Sequence, residues 1–516
     1  MKMKHHLLAL SAMGLLGSSA FALTHVTADI TSDTKWTTAG SPYILEQLIY
    51  VKNGATLDIA PGVIIRGQPW SGSVSIADAG ALAVTTNSKI QARGTASAPI
   101  IFTTAARDVD ANGAVDKSGG FPVRWTATDG DAGWLDANPV SAPLPPLDTL
   151  GAKNMSLWGG VILLGDAPTN NGNQVDIDAD TILDDGFGIA EGIAGADAVY
   201  GGFNSEHNAG VMRYVSIRHG GIGIVPTKEI NALTLYSVGN KTTLSYLDIY
   251  CNSDDGIEIF GGTVNLDHVN VSFADDDSLD MDEGYQGTIQ FAFIYQGFGY
   301  GDHGMELDGS DEATAENQAS TPLFPITNVG LYNTTVVMKK AKSGIDMDSG
   351  FAGIVANNIV VQASGLSDGT GIKVAGNVGG EVSTSSPAHF GAGDFQIRNN
   401  TVFGFATLYS AVSNTAPAWS MSATGAVSGT AFDEFYPNPL NRTLNPSLQG
   451  TSDTLGGINP RPSLAASALV YGTTLDAAYV RSPAVATSYK GAFDRTASSL
   501  WTTGWTALNK AGYLVD

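Results

Sequence analysis

Only one cysteine, Cys251, occurs in 516 residues, so no intramolecular disulfide staples the fold and no thiolate zinc site can be assembled. Basic residues are scarce too: 26 Lys and Arg stand against 50 Asp and Glu, a net charge of −24. Nucleic-acid binding needs cationic surface to displace phosphate counterions, and an anionic membrane surface repels such a chain. Both are set aside as partners, which leaves an extracellular glycan, a cell-surface component or divalent cations. Beyond residue 22 no run of ~18 uncharged apolar residues occurs, so no transmembrane helix is expected. Long helical periodicity is nearly absent. What is present is 43% apolar residues, enough for a large core, and 62 glycines, well above the ~7% norm.

Residues 1–22 read as an address. Lys2 and Lys4 form a positive start, Leu7 to Leu16 an apolar stretch, and Ala20-Phe21-Ala22 a small-x-small cleavage site. No cysteine follows, so a lipid anchor is not expected. The mature chain would be an exported protein in the periplasm, on the outer surface or outside the cell. Its oligomeric state is open.

Short β-rich runs broken by Gly, Asn and Asp fill the remainder, for instance Leu48-Ile49-Tyr50-Val51 and Thr56-Leu57-Asp58-Ile59 with Asn53-Gly54 between them. In the middle one phrase recurs. Asp254-Asp255-Gly256-Ile257-Glu258-Ile259 is answered by Asp276-Asp277-Ser278-Leu279-Asp280-Met281, by Asp302-His303-Gly304-Met305-Glu306-Leu307 and by Lys342-Ser343-Gly344-Ile345-Asp346-Met347. Gly369-Thr370-Gly371-Ile372-Lys373-Val374 is a weaker copy. Spacings of 22, 26, 40 and 27 residues, the long one holding a polar insertion at 308–327, predict a solenoid of stacked coils. Alternation turns Ile257, Leu279, Met305, Ile345 and Ile372 inward and the acidic residues outward. The expected fold is all-β: a right-handed parallel β-helix with long loop insertions, one domain over 23–516, its repeat core at about 211–375. An antiparallel sandwich, the alternative, calls for hairpin pairs instead of one recurring phrase. Trp501, Trp505 and Leu508 stand at helical i, i+4, i+7 spacing, so a short helix is expected to cap the last coil within about 489–514.

A family resemblance rests on several phrases together. They are Asn53-Gly54-Ala55-Thr56-Leu57-Asp58-Ile59-Ala60-Pro61-Gly62, Leu157-Trp158-Gly159-Gly160-Val161, Arg213 to Gly221, Asp254 to Thr263, and Tyr489-Lys490-Gly491-Ala492-Phe493 ahead of Gly504-Trp505-Thr506-Ala507-Leu508. With them the chain resembles a family of secreted bacterial right-handed β-helix proteins over nearly all of its mature length. The resemblance implies fold and export, and no defined activity.

The outward residues of the repeat make one acidic column: Glu258, Asp280, Asp282, Glu306, Asp308, Asp346 and Asp348. Like charges directly opposite on neighbouring strands destabilise a sheet, so an offset is expected from Lys342, Lys373, raised pKa values or bound Ca²⁺, which takes six to eight oxygens. Asp108, Asp110, Asn112 and Asp116 follow a D-x-D-x-N-G-x-x-D spacing that can ring one Ca²⁺, resembling the calcium loops of thrombospondin-type repeats. Asp176, Asp178, Asp180 and Asp184 form a looser version without the glycine.

A catalytic reading is also open. Asn252-Ser253-Asp254, Asp276-Asp277, Asp302-His303-Gly304 and Lys339-Lys340 are similar in order and spacing to the N-T-D, D-D, G-H-G and R-I-K motifs of polygalacturonase-like β-helix hydrolases. That likeness implies Asp277 as general acid, Asp254 and Asp276 as activators of water, His303 in support and Lys340 on a substrate carboxylate. Ser253 stands where the family has Thr, Asp302 where it has Gly, and the Arg is missing. A lyase would instead set a Ca²⁺-carboxylate site beside a base such as Lys342. His219 and His268 read as hydrogen-bonded loop or surface residues, and Cys251, in step with Leu247 and Ile249, as a buried core thiol. The favoured expectation is an exported Ca²⁺-binding β-helix with a structural, adhesive or glycan-binding role. The alternative is a polysaccharide-degrading enzyme, a hydrolase or a Ca²⁺-dependent uronate lyase.

Overall fold

The computed structural model describes residues 23–72, 78–126, 129, 133–171, 186–193, 195–225, 228–309, 325–340, 342–363, 368–375, 386, 389, 393–412, 419–422, 427–428, 441–472 and 475–516. The export segment, the Asp176–Asp184 loop and most of the 308–327 insertion lie outside the described residues.

One coil shows how the chain builds the rest. Ile257–Phe260 forms a short strand, Asn265–Ala274 a long one, and Leu279–Asp282 starts the next coil, pairing in parallel with Ile257–Phe260 residue for residue. Repeated along the chain, this gives a 12-stranded sheet of short strands from Leu48–Val51 onward and a 17-stranded sheet of longer ones. The chain is a parallel β-helix. Gly262, at φ 82°, marks the exit from the short strand: a Cβ there would sit 2.5 Å from the Val238 carbonyl of the neighbouring coil. Inside, Ile257, Leu279, Met305, Ile345 and Ile372 are fully buried in one stack, with Ile259, Met281, Leu307 and Met347 beside them. Each such side chain contributes ~1.5–3 kcal/mol, and together they fix which face of each strand looks out.

The long strands turn a corner without a break in pairing. Tyr214, Tyr246, His268 and Phe291 hold φ between 49° and 59°, and on the following coils Asn333, Asn357 and Asn399 hold φ between 52° and 61°. Bulky residues rarely adopt this left-handed conformation. Here each corner ring lies on the next: 4.4 Å between Tyr214 and Tyr246, 4.5 Å from Tyr246 to His268, and 4.8 Å from His268 to Phe291. His268 is therefore a member of an aromatic stack, not an isolated surface residue. His219 is buried, with Nδ1 2.7 Å from the Asn154 carbonyl.

The C-terminal segment differs from expectation in place and in shape. Only Ala507–Lys510 is helical, because Gly504 at φ 84° interrupts the run and Thr506 starts a new cap on the Asn509 N–H. The segment does not cover the last coil, where Thr407–Val412 is instead continued by the antiparallel strands Trp419–Ser422 and Val427–Ser428. It lies along the flank of the middle coils. The Ala507 N–H donates to buried Asp248 at 2.8 Å, and Trp505 meets Tyr214 edge-on at 5.2 Å. Cys251 is buried, but beneath this strap with Phe273, Leu508 and Leu514 instead of in the solenoid interior. Its φ of 54° breaks the alternation that Leu247 and Ile249 follow.

Candidate functional site

The apolar stack inside dictates the column outside. Thr234, Glu258, Asp280, Glu306, Asp346, Lys373 and Ser410 are successive partners across neighbouring short strands. Two residues further along, Phe260 pairs with Asp282 and Asp308 with Asp348. All seven carboxylates of the column thus share one sheet face. Tyr236 and Phe260 stack at 4.6 Å and close its upper end with an apolar step. A one-residue slip would drive this charge into the core, so the register is strict.

Burial and mutual repulsion raise most of these acids. Burial, then Asp280, pushes Glu258 well up; burial, then Glu306, does the same to Asp280. Asp308 rises to about 10 through burial and then Asp282. Burial also lifts Asp348. Glu306 goes the other way: His303 beside it holds the carboxyl down to about 2. Burial alone would lower His303, but Glu306, Asp346 and Asp302 outweigh it and leave the imidazole raised. Lys373 pairs with Asp346 at 2.8 Å, and Lys342 is committed to Asp302 at 2.7 Å. These few cations do not match the carboxylates around them. Two buried oxygens, Oδ1 of Asp308 and Oδ1 of Asp346, take no hydrogen bond at all.

The turns before the strands add further acids. Among the described residues three groups bring their ligand atoms within 4.8 Å of one another: Asp254, Asp255 and Asp276; Asp255, Glu258 and Asp280; and Asp277, His303 and Glu306. The first two are oxygen-only sets of the kind hard cations take. Asp255, a member of both, was not singled out from sequence; the only sign of it is the Asp-Asp doublet shared with Asp276-Asp277. Glu229 was missed as well: with burial ahead of it, and with Asp276 and Glu191, it lifts Asp254 to about 7.

The other sequence candidates fall out as follows. Asp277 is buried, its Oδ1 accepting the His303 N–H and its own N–H donating to Asp255 at 2.9 Å. It faces Glu306 and is not presented to solvent. Asp276 is exposed, and the Lys340 charge reaches it. Asp254 and Asp276, the two residues given the water-activating role, come together with Asp255, their ligand atoms within 4.8 Å of one another. In the 108–116 loop the acidic and Asn side chains accept the loop's own amides. Asp108 accepts the N–H groups of Asn112 and Gly113, Asp110 accepts Asn112, Asn112 accepts Ala114, and Asp116 accepts Val109. None of the three close groups includes this loop.

A stack of coils with an acidic column along one outer face is the architecture that fold and site define. The chain belongs to the family of the pectate-lyase-like beta helix domain, whose model matches residues 28–124 and 148–438. Among solved structures, the periplasmic alginate epimerase AlgG aligns over 71% of this chain and 82% of its own, at 11% identity and a TM-score of 0.26. The Dettilon tailspike protein (gp208) aligns over 77% of this chain and 62% of its own, at 10% identity and a TM-score of 0.21. No curated protein matches the chain. No helix among the described residues is long and apolar enough to cross a membrane.

Proposed function

We propose that the chain is an exported, Ca²⁺-carrying β-helix protein that binds a glycan at or outside the cell surface. Residues 1–22 direct export, and 23–516 act as one domain. The observation that carries this reading is the column: Glu258, Asp280, Glu306 and Asp346 in consecutive register, flanked by Asp255 and Asp282, with far fewer cations than carboxylates. Ca²⁺ at the oxygen-only groups relieves that repulsion and offers open coordination positions to sugar hydroxyls or to a uronate carboxylate, which the bare acidic face would repel. Thermal unfolding in millimolar Ca²⁺ and in chelator tests the ion, since a cation that binds only the folded state raises its stability. Glycan-array binding in the same two conditions tests the partner. An unchanged melting temperature removes Ca²⁺, and glycan binding indifferent to chelator separates the two parts.

One observation favours a second reading, a polysaccharide-degrading enzyme. Asp277 is pushed well up, by burial first and then by Glu306, while Glu306 is held down to about 2 by His303. Adjacent acids with opposed protonation are how general acid and base are told apart. New reducing ends indicate a hydrolase, and unsaturated product absorbing in the ultraviolet indicates a lyase. Activity that survives Asp277→Asn sinks the assignment of that residue as the acid.

A further inference from the structure

The His303 ring stands between two carboxylate environments. On one side Nε2 faces Asp346 Oδ2 at 3.5 Å. Asp346 is itself fixed, because that oxygen accepts Lys373 Nζ at 2.8 Å and the Ser343 hydroxyl at 3.1 Å. On the other side Nδ1 lies 3.8 Å from Asp277 Oδ1 and 3.7 Å from Glu306 Oε1. Both separations are too long for a hydrogen bond, and Nδ1 is buried with no hydrogen-bond partner. A buried ring nitrogen left unbonded between two acids calls for an explanation.

The spacing supplies one. Two atoms each ~2.1 Å from a common centre and separated by such distances subtend about 125° there, an angle that zinc-like coordination reaches with small shifts. All three donor atoms lie within 4.8 Å of one another. The nitrogen decides which ion: Ca²⁺ and Mg²⁺ prefer oxygen throughout, whereas imidazole suits first-row transition ions. Asp346 lies 3.5 Å behind Nε2, where a small shift of the ring would let its carboxylate receive the distal N–H of a ligating histidine and leave the other nitrogen's lone pair free for the ion. The Glu306 side chain is 39% exposed, so a three-residue site would keep an open position toward solvent, as catalytic sites do and closed structural sites do not.

We propose that Asp277, His303 and Glu306 bind a first-row transition ion such as Zn²⁺, Ni²⁺ or Co²⁺, with Asp346 as the positioning residue behind His303. The site is separate from the oxygen-only groups around Asp255 and Glu258, and it stands whether or not Ca²⁺ occupies those.

Untagged mature protein, stripped with chelator and dialysed, is titrated with Co²⁺ in the presence of millimolar Ca²⁺ and followed by calorimetry and visible absorption. The expected result is tight binding of one equivalent that Ca²⁺ does not displace. His303→Gln should weaken it about 100-fold and Asp346→Asn about 10-fold, the latter within the range seen for lost outer-shell partners, while any Ca²⁺-dependent thermal shift persists in His303→Gln. X-ray absorption of the Zn²⁺-loaded wild type should show a single imidazole among oxygens, and this reading does not depend on whether a variant folds. Displacement by Ca²⁺, binding unchanged in His303→Gln, or an all-oxygen shell overturns the proposal. Each would leave His303 as an imidazolium bridging Glu306 and Asp346, and none would touch the Ca²⁺ reading.

Discussion

Replacing Asp280 with Asn should stabilise the protein in chelator and destabilise it in Ca²⁺, a change of sign that follows from the position of this residue in the column. Asp280 is the direct partner of Glu258 on one side and Glu306 on the other. Strands lie ~4.8 Å apart, where two unit charges repel by ~3.5 kcal/mol at an effective dielectric of 20 and ~0.9 kcal/mol in water. Because burial and the neighbours already push Asp280 and Glu258 well up, part of that repulsion is traded for bound protons. The relief expected from an isosteric amide is therefore about 1–3 kcal/mol. For a chain of about 500 residues the unfolding entropy is ~1 kcal/mol per degree, so the melting temperature in chelator should rise by about 1–3 °C. In Ca²⁺ at a thousand times its dissociation constant the wild type should gain ~4.1 kcal/mol, and the variant should lose most of that gain, more than the relief it keeps, along with its ligand oxygen. Calorimetry of both proteins in both buffers reads the crossing directly. A shift of the same sign in both buffers would show that the column neither repels nor binds as argued.

The parts of this architecture visible in sequence are those governed by alternation. Ile257-Glu258-Ile259 and its copies carry two statements at once, an inward apolar stack and an outward acidic one, and strict β-register makes each imply the other. How the residues beside the column converge was less visible, because they precede the strands. Asp255, Asp277 and His303 sit in turns, where no period-two rule says which way a side chain points. Their convergence depends on hydrogen bonds between the turns of neighbouring coils, in which the His303 N–H donates to the Asp277 carboxylate and the Asp277 N–H to that of Asp255.

The corner of the long strands was hidden for a related reason. Tyr214, Tyr246, His268 and Phe291 span three residue types at uneven spacing, and beyond their rings they have in common a left-handed backbone supported by tertiary stacking. At the C-terminus, spacing alone misled. Trp501, Trp505 and Leu508 fit a helical period, but Gly504 between them signalled the break, since at φ 84° it ends one turn and lets Thr506 start another. Where the segment docks is set by partners hundreds of residues away, above all Asp248 and Tyr214.

Three further outcomes follow from the packing. Leu279→Ala, which opens a cavity in the inner stack where the side chain is fully buried, should cost ~2–5 kcal/mol in denaturant unfolding; a loss under 1 kcal/mol would mean the stack is loose. Trp505→Ala should cost ~3–5 kcal/mol and, because Trp505 anchors the strap on Tyr214, should direct limited proteolysis to residues 489–516 before any other part of the chain. The last concerns pH. Lys490 is fully buried, its ammonium 3.3 Å from the Thr401 hydroxyl, and burial, then the Arg442 charge, pulls its pKa down to about 7 from 10.5. The unfolded chain then binds more protons than the folded one between pH 7 and 10.5, so this group makes stability rise with pH across that window, by up to ~1.4 kcal/mol per unit. Below pH 7 the lysine is charged in both states and its full burial penalty is present. Lys490→Met keeps the volume and removes the charge, so it should flatten the rise and stabilise most at or below neutral pH. Equal slopes in the two proteins would place the proton elsewhere.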